Sequence, residues 1–225
     1  MSTARLIAPV LALFVGFGGC SSARQTKEVQ RLQAQAAFER GIKHFNDREA
    51  TLALAALREA VALDPTSATY VDALGLVFSE LQRPDLALEQ FQRAVDLDRQ
   101  FANAHFHLGV ALAESARWEA AAAAYRKALS LPTLSVPDLA HQNLGLALYH
   151  LRQYPDAERE LRFALSLSPD MQAAYYHLGL VLAAQKHVDQ ARMAFTRAQA
   201  LGPDTPFGEA AAQRLKALGE EAPRR

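Results

Sequence analysis

The seven histidines are the side chains of this sequence that could most readily bind a metal ion or transfer a proton. His105 and His107 lie two residues apart in a segment expected to be helical, so they point in different directions. His141 and His177 fall far along the chain, and the spacing typical of metal ligands is missing. No nucleophile elbow, phosphate-binding loop or H-E-x-x-H zinc motif occurs. The sequence therefore predicts no catalytic residue, no metal site and no cofactor.

Cys20 is the only cysteine, and it follows an apolar run over residues 6–19 in which Arg5 is the nearest charge. Fourteen residues are too few for a bilayer span, which needs about 20, but they suit the core of a signal peptide. The Phe-Gly-Gly-Cys sequence at residues 17–20 resembles a bacterial lipobox, in which the cysteine receives lipid and becomes the mature N-terminus. The alternative is an ordinary secretory signal with an incidental cysteine. We predict a lipoprotein signal peptide at 1–19, lipidation of Cys20 and a lipidated tether at 20–26.

Lipidation would attach the protein to a membrane, and the resemblance to bacterial lipoproteins implies three acyl chains on the cysteine. Ser21 is not the aspartate that retains lipoproteins of enteric bacteria in the inner membrane. We therefore expect a lipid-anchored protein of the cell outer membrane, facing the periplasm or exposed at the surface. Loss of the leader removes Arg5 and leaves 23 basic against 24 acidic side chains. That balance argues against a nucleic-acid partner.

Five glycines recur at nearly equal steps through the rest of the chain, and the third step is two positions longer than the others. Alanine stands at positions +12 and +19 from each glycine, and a large apolar residue stands at position +16. A period of about 34 residues with this content predicts a stack of helical hairpins. We expect each glycine to face the first of its two alanines, with the large residues filling gaps between neighbouring hairpins. The glycines are Gly41, Gly75, Gly109, Gly145 and Gly179, and the large residues are Leu57, Phe91, Tyr125, Leu161 and Phe195.

This pattern resembles the tetratricopeptide repeat, including a proline at position +24 from the glycine at Pro65, Pro169 and Pro203. The resemblance implies an all-α, right-handed superhelical solenoid of five helical hairpins with a C-terminal capping helix. We predict this domain at 27–219, with repeats at about 34–67, 68–101, 102–135, 138–171 and 172–205. The capping helix is expected at about 206–219, with Leu215 and Leu218 towards the stack and Arg214 outside. A tail follows at 220–225.

In tetratricopeptide arrays the first helix of each hairpin lines a concave groove, at positions three before, one after and four after the glycine. These positions are mostly apolar here, and none is Lys, Arg or Asn, which argues against the carboxylate-gripping groove of chaperone-binding relatives. An exposed apolar strip predicts a protein-binding site, unless neighbouring repeats, the tether helix or a second copy cover it. The predicted partner-binding residues, expected to face solvent, are Phe38, Ile42, Phe45, Leu76, Phe106, Val110, Leu146, Tyr149, Tyr176 and Leu180.

The third junction is the longer one, and it carries Pro132 and Pro137. A proline-flanked linker before an Asn-Leu-Gly repeat start, in a small lipoprotein of this kind, resembles the type IV pilus pilotins, the family of PilF, PilW and Tgl. That resemblance implies a scaffold, not an enzyme, that binds subunits of an outer-membrane secretin and promotes their localisation and assembly for pilus biogenesis. Two alternatives stay open: an envelope adaptor that recruits peptidoglycan hydrolases or other periplasmic partners, and an enzyme without a recognised motif.

Overall fold

The computed structural model describes residues 19–220, with side chains from residue 25 to residue 219. The predicted signal peptide, apart from Gly19, and the predicted tail, apart from Glu220, lie outside the described residues. Within the described part, the chain forms eleven α-helices and no strand. They are α1 (Gly19–Asn46), α2 (Ala50–Leu63), α3 (Ala68–Glu80), α4 (Pro84–Leu97), α5 (Ala102–Glu114), α6 (Trp118–Leu129), α7 (Pro137–His150), α8 (Tyr154–Leu167), α9 (Gln172–Ala184), α10 (Val188–Leu201) and α11 (Pro206–Glu220).

The first ten helices pair along the chain as five hairpins, and each hairpin packs on the next through its second helix and the following first helix. One hydrophobic core runs through the stack from Ala53 to Ala211. A single hairpin would leave an apolar face in water, so stacking is what buries it. The predicted all-α tetratricopeptide solenoid is therefore confirmed. None of the described helices is long and apolar enough to cross a membrane.

The turn inside each hairpin holds one residue in the left-handed backbone region, always seven positions after the repeat glycine. These residues are Arg48, Gln82, Ala116, Arg152 and Lys186, with φ between 54° and 66°. The following N–H closes the end of the first helix, as where Arg117 N–H donates to the Leu112 carbonyl at 2.9 Å. None of the five is glycine, although a non-glycine residue in this region costs roughly 1–2 kcal/mol. All five hairpins thus share one turn geometry, which sets the pairing of their helices.

Each repeat glycine lies beneath the large apolar side chain of its own hairpin, a contact that our expectation of glycine against alanine did not include. A Cβ atom placed on Gly75 would lie 2.6 Å from Cε1 of Phe91, and the other four glycines meet their large residue in the same way. The large side chains therefore pack inside their own hairpin. The alanines fill the remaining space without side-chain bulk, and Ala121 and Ala128 are fully buried.

Helix α1 is twice as long as the helices that follow, with 28 residues. It begins at Gly19, so it includes the segment predicted as a tether at 20–26. Residues 25–33 are all exposed, and Ala34 is the first buried residue. The amide of Gln30 donates to the Leu63 carbonyl at 2.9 Å. The N-terminal part of α1 is therefore exposed but touches the first hairpin through Gln30, and its packed part begins at Ala34.

Helix α11 packs against α10 and α9, where the first helix of a sixth repeat would lie. Ala211 is fully buried, and Leu215 and Leu218 pack against the core as predicted. The guanidinium of Arg192 donates to the Leu218 carbonyl at 2.7 Å. At the start of the helix, the amide of Gln172 donates to the Gly202 carbonyl at 2.8 Å. These contacts fix both ends of α11 to the stack.

Candidate partner-binding groove

The ten residues predicted to bind a partner all lie on the first helices of the hairpins, α1, α3, α5, α7 and α9. Nine of them are partly exposed. The column one residue after the glycine is the most regular, because Ile42, Leu76, Val110, Leu146 and Leu180 are apolar and partly exposed in every repeat. This column forms a continuous apolar strip along the five first helices, which we call the groove strip.

Phe106 is the exception, because only 8% of it is exposed, so the expectation that it faces solvent is wrong. Its ring lies 6.0 Å from the ring of Tyr125, centroid to centroid. Asp72 and Gln142 hold the same position in their repeats and are also buried. Residues three before the glycine therefore point largely into the packed helices, and only those in the first and fifth repeats stay partly open.

The residues two positions before the glycine are polar in four of the five repeats, and they form a second column that our sequence reasoning missed. Nδ1 of His107 lies 2.8 Å from Oδ1 of Asp72, which joins the second and third repeats. In the fourth repeat, Asn143 accepts a hydrogen bond from the Gln142 amide at 2.9 Å, and its side chain also lies close enough to the Tyr125 phenol to lower the pKa of that group slightly. The signal was available, since this column reads Glu39, Ala73, His107, Asn143 and His177.

The hydroxyl of Tyr125 stays protonated in this setting. Burial raises the pKa of Tyr125 far above its ordinary value, and the negative charge of Glu114 raises it further. The phenol is therefore neutral where it faces the fourth repeat.

His177 continues the polar column, but its Nδ1 atom is buried without a hydrogen-bond partner. The residue is 7% exposed. Burial lowers the pKa of His177 to about 4, with a smaller effect from the positive charge of His150. The ring is therefore neutral at pH 7. By register its partner would be Gln142, the counterpart of Asp72, but the Gln142 amide bonds Asn143 instead.

The described side chains contain no group of three or more His, Cys, Asp or Glu residues that could hold a metal ion. Three of the histidines each pair with a single carboxylate, as where Nδ1 of His141 lies 2.7 Å from Oε2 of Glu160. These pairs join helices to one another.

The C-terminal end of the groove opens into a pocket of about 470 Å³ between α7, α9 and α11. Its apolar lining includes Tyr149 and Leu180, two predicted groove residues, and Leu218 of α11. Lys186 and Arg214 also line it. The prediction that Arg214 lies outside the stack is correct in that it is exposed, but it missed that α11 brings this side chain to the groove. We call this site the end pocket.

The outer face of the array, formed by the second helices, offers a different surface. A cleft of about 650 Å³ lies between α4 and α6 and is bordered by Leu88 and Ala123. Further along, Phe163 is 50% exposed and Met193 is 73% exposed. Met193 borders a second cleft of about 420 Å³, and paired charges lie nearby, such as Arg162 with Glu158 at 2.8 Å. The apolar side chains of this face form no strip comparable to that of the groove.

Solved structures of several tetratricopeptide proteins are similar to this one. PilW, described as a widely conserved type IV pilus biogenesis factor, is 21% identical with a TM-score of 0.72, over 83% of this chain and 89% of that one. YrrB, described as having an unusual peptide-binding site, is 19% identical with a TM-score of 0.68, over 88% of this chain and 98% of that one. MamA is 25% identical with a TM-score of 0.64, over 77% and 96%. These likenesses establish the fold.

No curated protein sequence matches this chain. The family model described as tetratricopeptide repeat matches residues 73–134 and 143–206, which is more than half of the chain. The matched segments contain four of the five repeat glycines with their large apolar partners. The protein therefore belongs to the tetratricopeptide repeat family.

Proposed function

We propose that this protein is an outer-membrane lipoprotein scaffold that binds secretin subunits and promotes their localisation and assembly in type IV pilus biogenesis. The observation that carries the proposal is the groove strip, a continuous line of partly exposed apolar side chains from Ile42 to Leu180. Solenoids of this family generally bind other proteins and carry out no catalysis. An apolar strip of this length is unfavourable in water unless a partner covers it.

The pilus assignment draws on features outside the groove. PilW shares the fold and is described as a type IV pilus biogenesis factor. The apolar leader ending at Cys20 and the proline-flanked third junction are the features that resemble the pilotins. They favour a pilus-related envelope role over the other functions found on this fold.

The mechanism would depend on tethering. Lipid on Cys20 would hold the chain at the membrane, and the helix from Gly19 to the first buried residue, Ala34, would space the array by about 22 Å at 1.5 Å per residue. The groove strip would then hold a segment of a secretin subunit close to the bilayer. Tethering raises the effective concentration of subunits for one another, so no single contact has to be tight.

The first experiment tests the partner. The lipoprotein is purified from detergent-solubilised membranes of cells that express the secretin, as wild type and as the double variant Val110→Ser, Leu146→Ser in the groove strip. We expect secretin to co-purify with the wild type and to be lost from the groove variant. The matched control is Phe163→Ser, Met193→Ser on the outer face, which should retain the secretin. Co-purification of peptidoglycan hydrolases in place of secretin would contradict the proposal and favour the adaptor alternative.

The second experiment tests the anchor. Cys20→Ser should leave a soluble or unprocessed protein, because the lipid and not the array holds the chain at the membrane. The measurement is fractionation of wild type and variant into soluble and membrane fractions. If the variant still fractionates with membranes after removal of the leader, the lipid anchor is wrong.

A further inference from the structure

We propose that the end pocket binds an acidic, apolar segment of the partner protein, with apolar side chains against Leu180 and Leu218 and a carboxylate between Lys186 and Arg214. The inference rests on the proposed function in that it concerns the same groove. It adds the chemistry of the bound segment, which the groove strip alone does not define.

The apolar part of the end pocket is open to a partner. Tyr149, Leu180, Ala183 and Leu218 are each partly exposed, and Val188 at the rim is 40% exposed. The volume of about 470 Å³ lies within the range of roughly 300–1,000 Å³ that is usual for ligand pockets. If an extended segment runs along the groove strip, the apolar side chains at one end of that segment would lie in this pocket.

The charges of the end pocket have one sign. Lys186 and Arg214 line it, and no carboxylate does. Neither cation forms an ion pair with any described residue. Some arginines elsewhere on the array are neutralised by a carboxylate, as where Arg197 lies 2.9 Å from Asp170. Two uncompensated cations beside an apolar surface select a partner of negative charge.

The repeat register explains how a cation reaches the groove. One further repeat length from Gly179, equal to the step from Gly145 to Gly179, arrives at Gln213. Arg214 therefore occupies the position of the groove strip in a sixth repeat. All five earlier members of that column are apolar, and Arg214 is the first charged one. The groove thus changes from apolar to basic at its last position.

Both cations stand on backbone that is fixed. Arg214 belongs to α11, which Arg192 holds to α10 through the Leu218 carbonyl at 2.7 Å. Lys186 is the left-handed residue of the fifth hairpin turn, with φ of 66°, and its N–H donates to the Ala183 carbonyl at 2.9 Å. The backbone at both cations is thus set relative to Leu180 before any partner binds, so only their side chains have to be ordered on binding.

The test uses two fluorescein-labelled decapeptides, one alternating leucine with aspartate and one alternating leucine with lysine. Fluorescence anisotropy measures their binding to the full mature chain in mild detergent. We expect the aspartate peptide to bind at least about tenfold more tightly than the lysine peptide at low salt, and the difference to shrink as salt screens the charges.

A charge-reversed variant, Lys186→Glu with Arg214→Glu, should invert this preference and bind the lysine peptide more tightly. Both side chains are exposed, so far-UV circular dichroism should show unchanged helix. The control, Lys43→Glu with Arg126→Glu, changes the net charge equally at two exposed cations away from the end pocket and should keep the wild-type preference. Equal binding of the two peptides, no binding of either, or the same inversion in the control would overturn the inference.

This result is independent of the partner's identity. If the peptides behave as expected and secretin does not co-purify, the proposed function fails while the end pocket stands. If secretin is captured and the peptides show no charge preference, the end pocket fails while the proposed function stands.

Discussion

Replacement of Gly75 by alanine should destabilise the array, although alanine is the better helix former. A Cβ atom on residue 75 would lie 2.6 Å from Cε1 and 2.7 Å from Cδ1 of Phe91. Optimal carbon contacts are about 3.5–4.0 Å, so the ring or the helices must move by about 1 Å. Phe91 is 2% exposed and has little room to move. Overpacking lowers the free energy of unfolding by about 1–3 kcal/mol, and the higher helix propensity of alanine raises it by about 1 kcal/mol. We therefore expect a net loss of about 0–2 kcal/mol in the free energy of unfolding.

The same substitution should have the opposite sign once the ring is absent. Phe91→Ala alone should cost about 3–5 kcal/mol, since it leaves a cavity inside the hairpin. In that background the added Cβ of Gly75→Ala meets no ring, so only the propensity gain of about 1 kcal/mol remains. The two sites should therefore show a coupling free energy of about 1–3 kcal/mol.

The measurement is urea unfolding of wild type, both single variants and the double variant, followed by far-UV circular dichroism. Midpoint and slope are both compared, because solenoids can unfold repeat by repeat and a changed slope would reveal it. The reasoning is refuted if Gly75→Ala changes the free energy of unfolding by the same amount in both backgrounds. Any measurable increase in stability from Gly75→Ala in the wild-type chain would refute it as well.

Three further substitutions test the packing, the turns and the buried histidine. Ala121→Leu adds bulk at a fully buried position and should cost about 1–3 kcal/mol, so an unchanged thermal midpoint would contradict the proposed packing. Ala116→Gly relieves a left-handed residue with φ of 54° and should raise the free energy of unfolding by about 1 kcal/mol; a lower urea midpoint would argue against strain in this turn. His177 has a folded-state pKa of about 4 against an ordinary 6.5, so the unfolded chain takes up the proton first as the pH falls. Stability is then fully present above about pH 6.5 and should decrease by up to roughly 3 kcal/mol down to about pH 4. His177→Asn should flatten this part of the pH profile, and an unaltered profile would show that other groups cause it.

The sequence by itself determined the architecture. The contacts that define each hairpin are local, since the glycine and the large residue above it are 16 positions apart, as Gly75 and Phe91 are. A pattern of such contacts repeated five times is visible as a period, and stacking follows because a single hairpin cannot bury its apolar face. The groove strip was also accessible, because one residue after the glycine is the same helix face in every repeat. The sequence did not predict that the first helix starts at Gly19, since residues 20–26 carry no apolar period.

Only the tertiary structure decided which side chains stay open and what lies at the end of the groove. Successive helical residues differ by about 100° around the axis, so a position three before the glycine can face the groove or the helices packed beside it, and neighbouring side chains decide. Phe106 became buried in this way, because its ring packs near that of Tyr125. The end pocket depends on α11 docking beside α9, with Arg214 and Lys186 brought together from separate elements. Such a juxtaposition has no fixed spacing within a repeat, since it arises where the repeats end, and so it follows from the packing of the last helix.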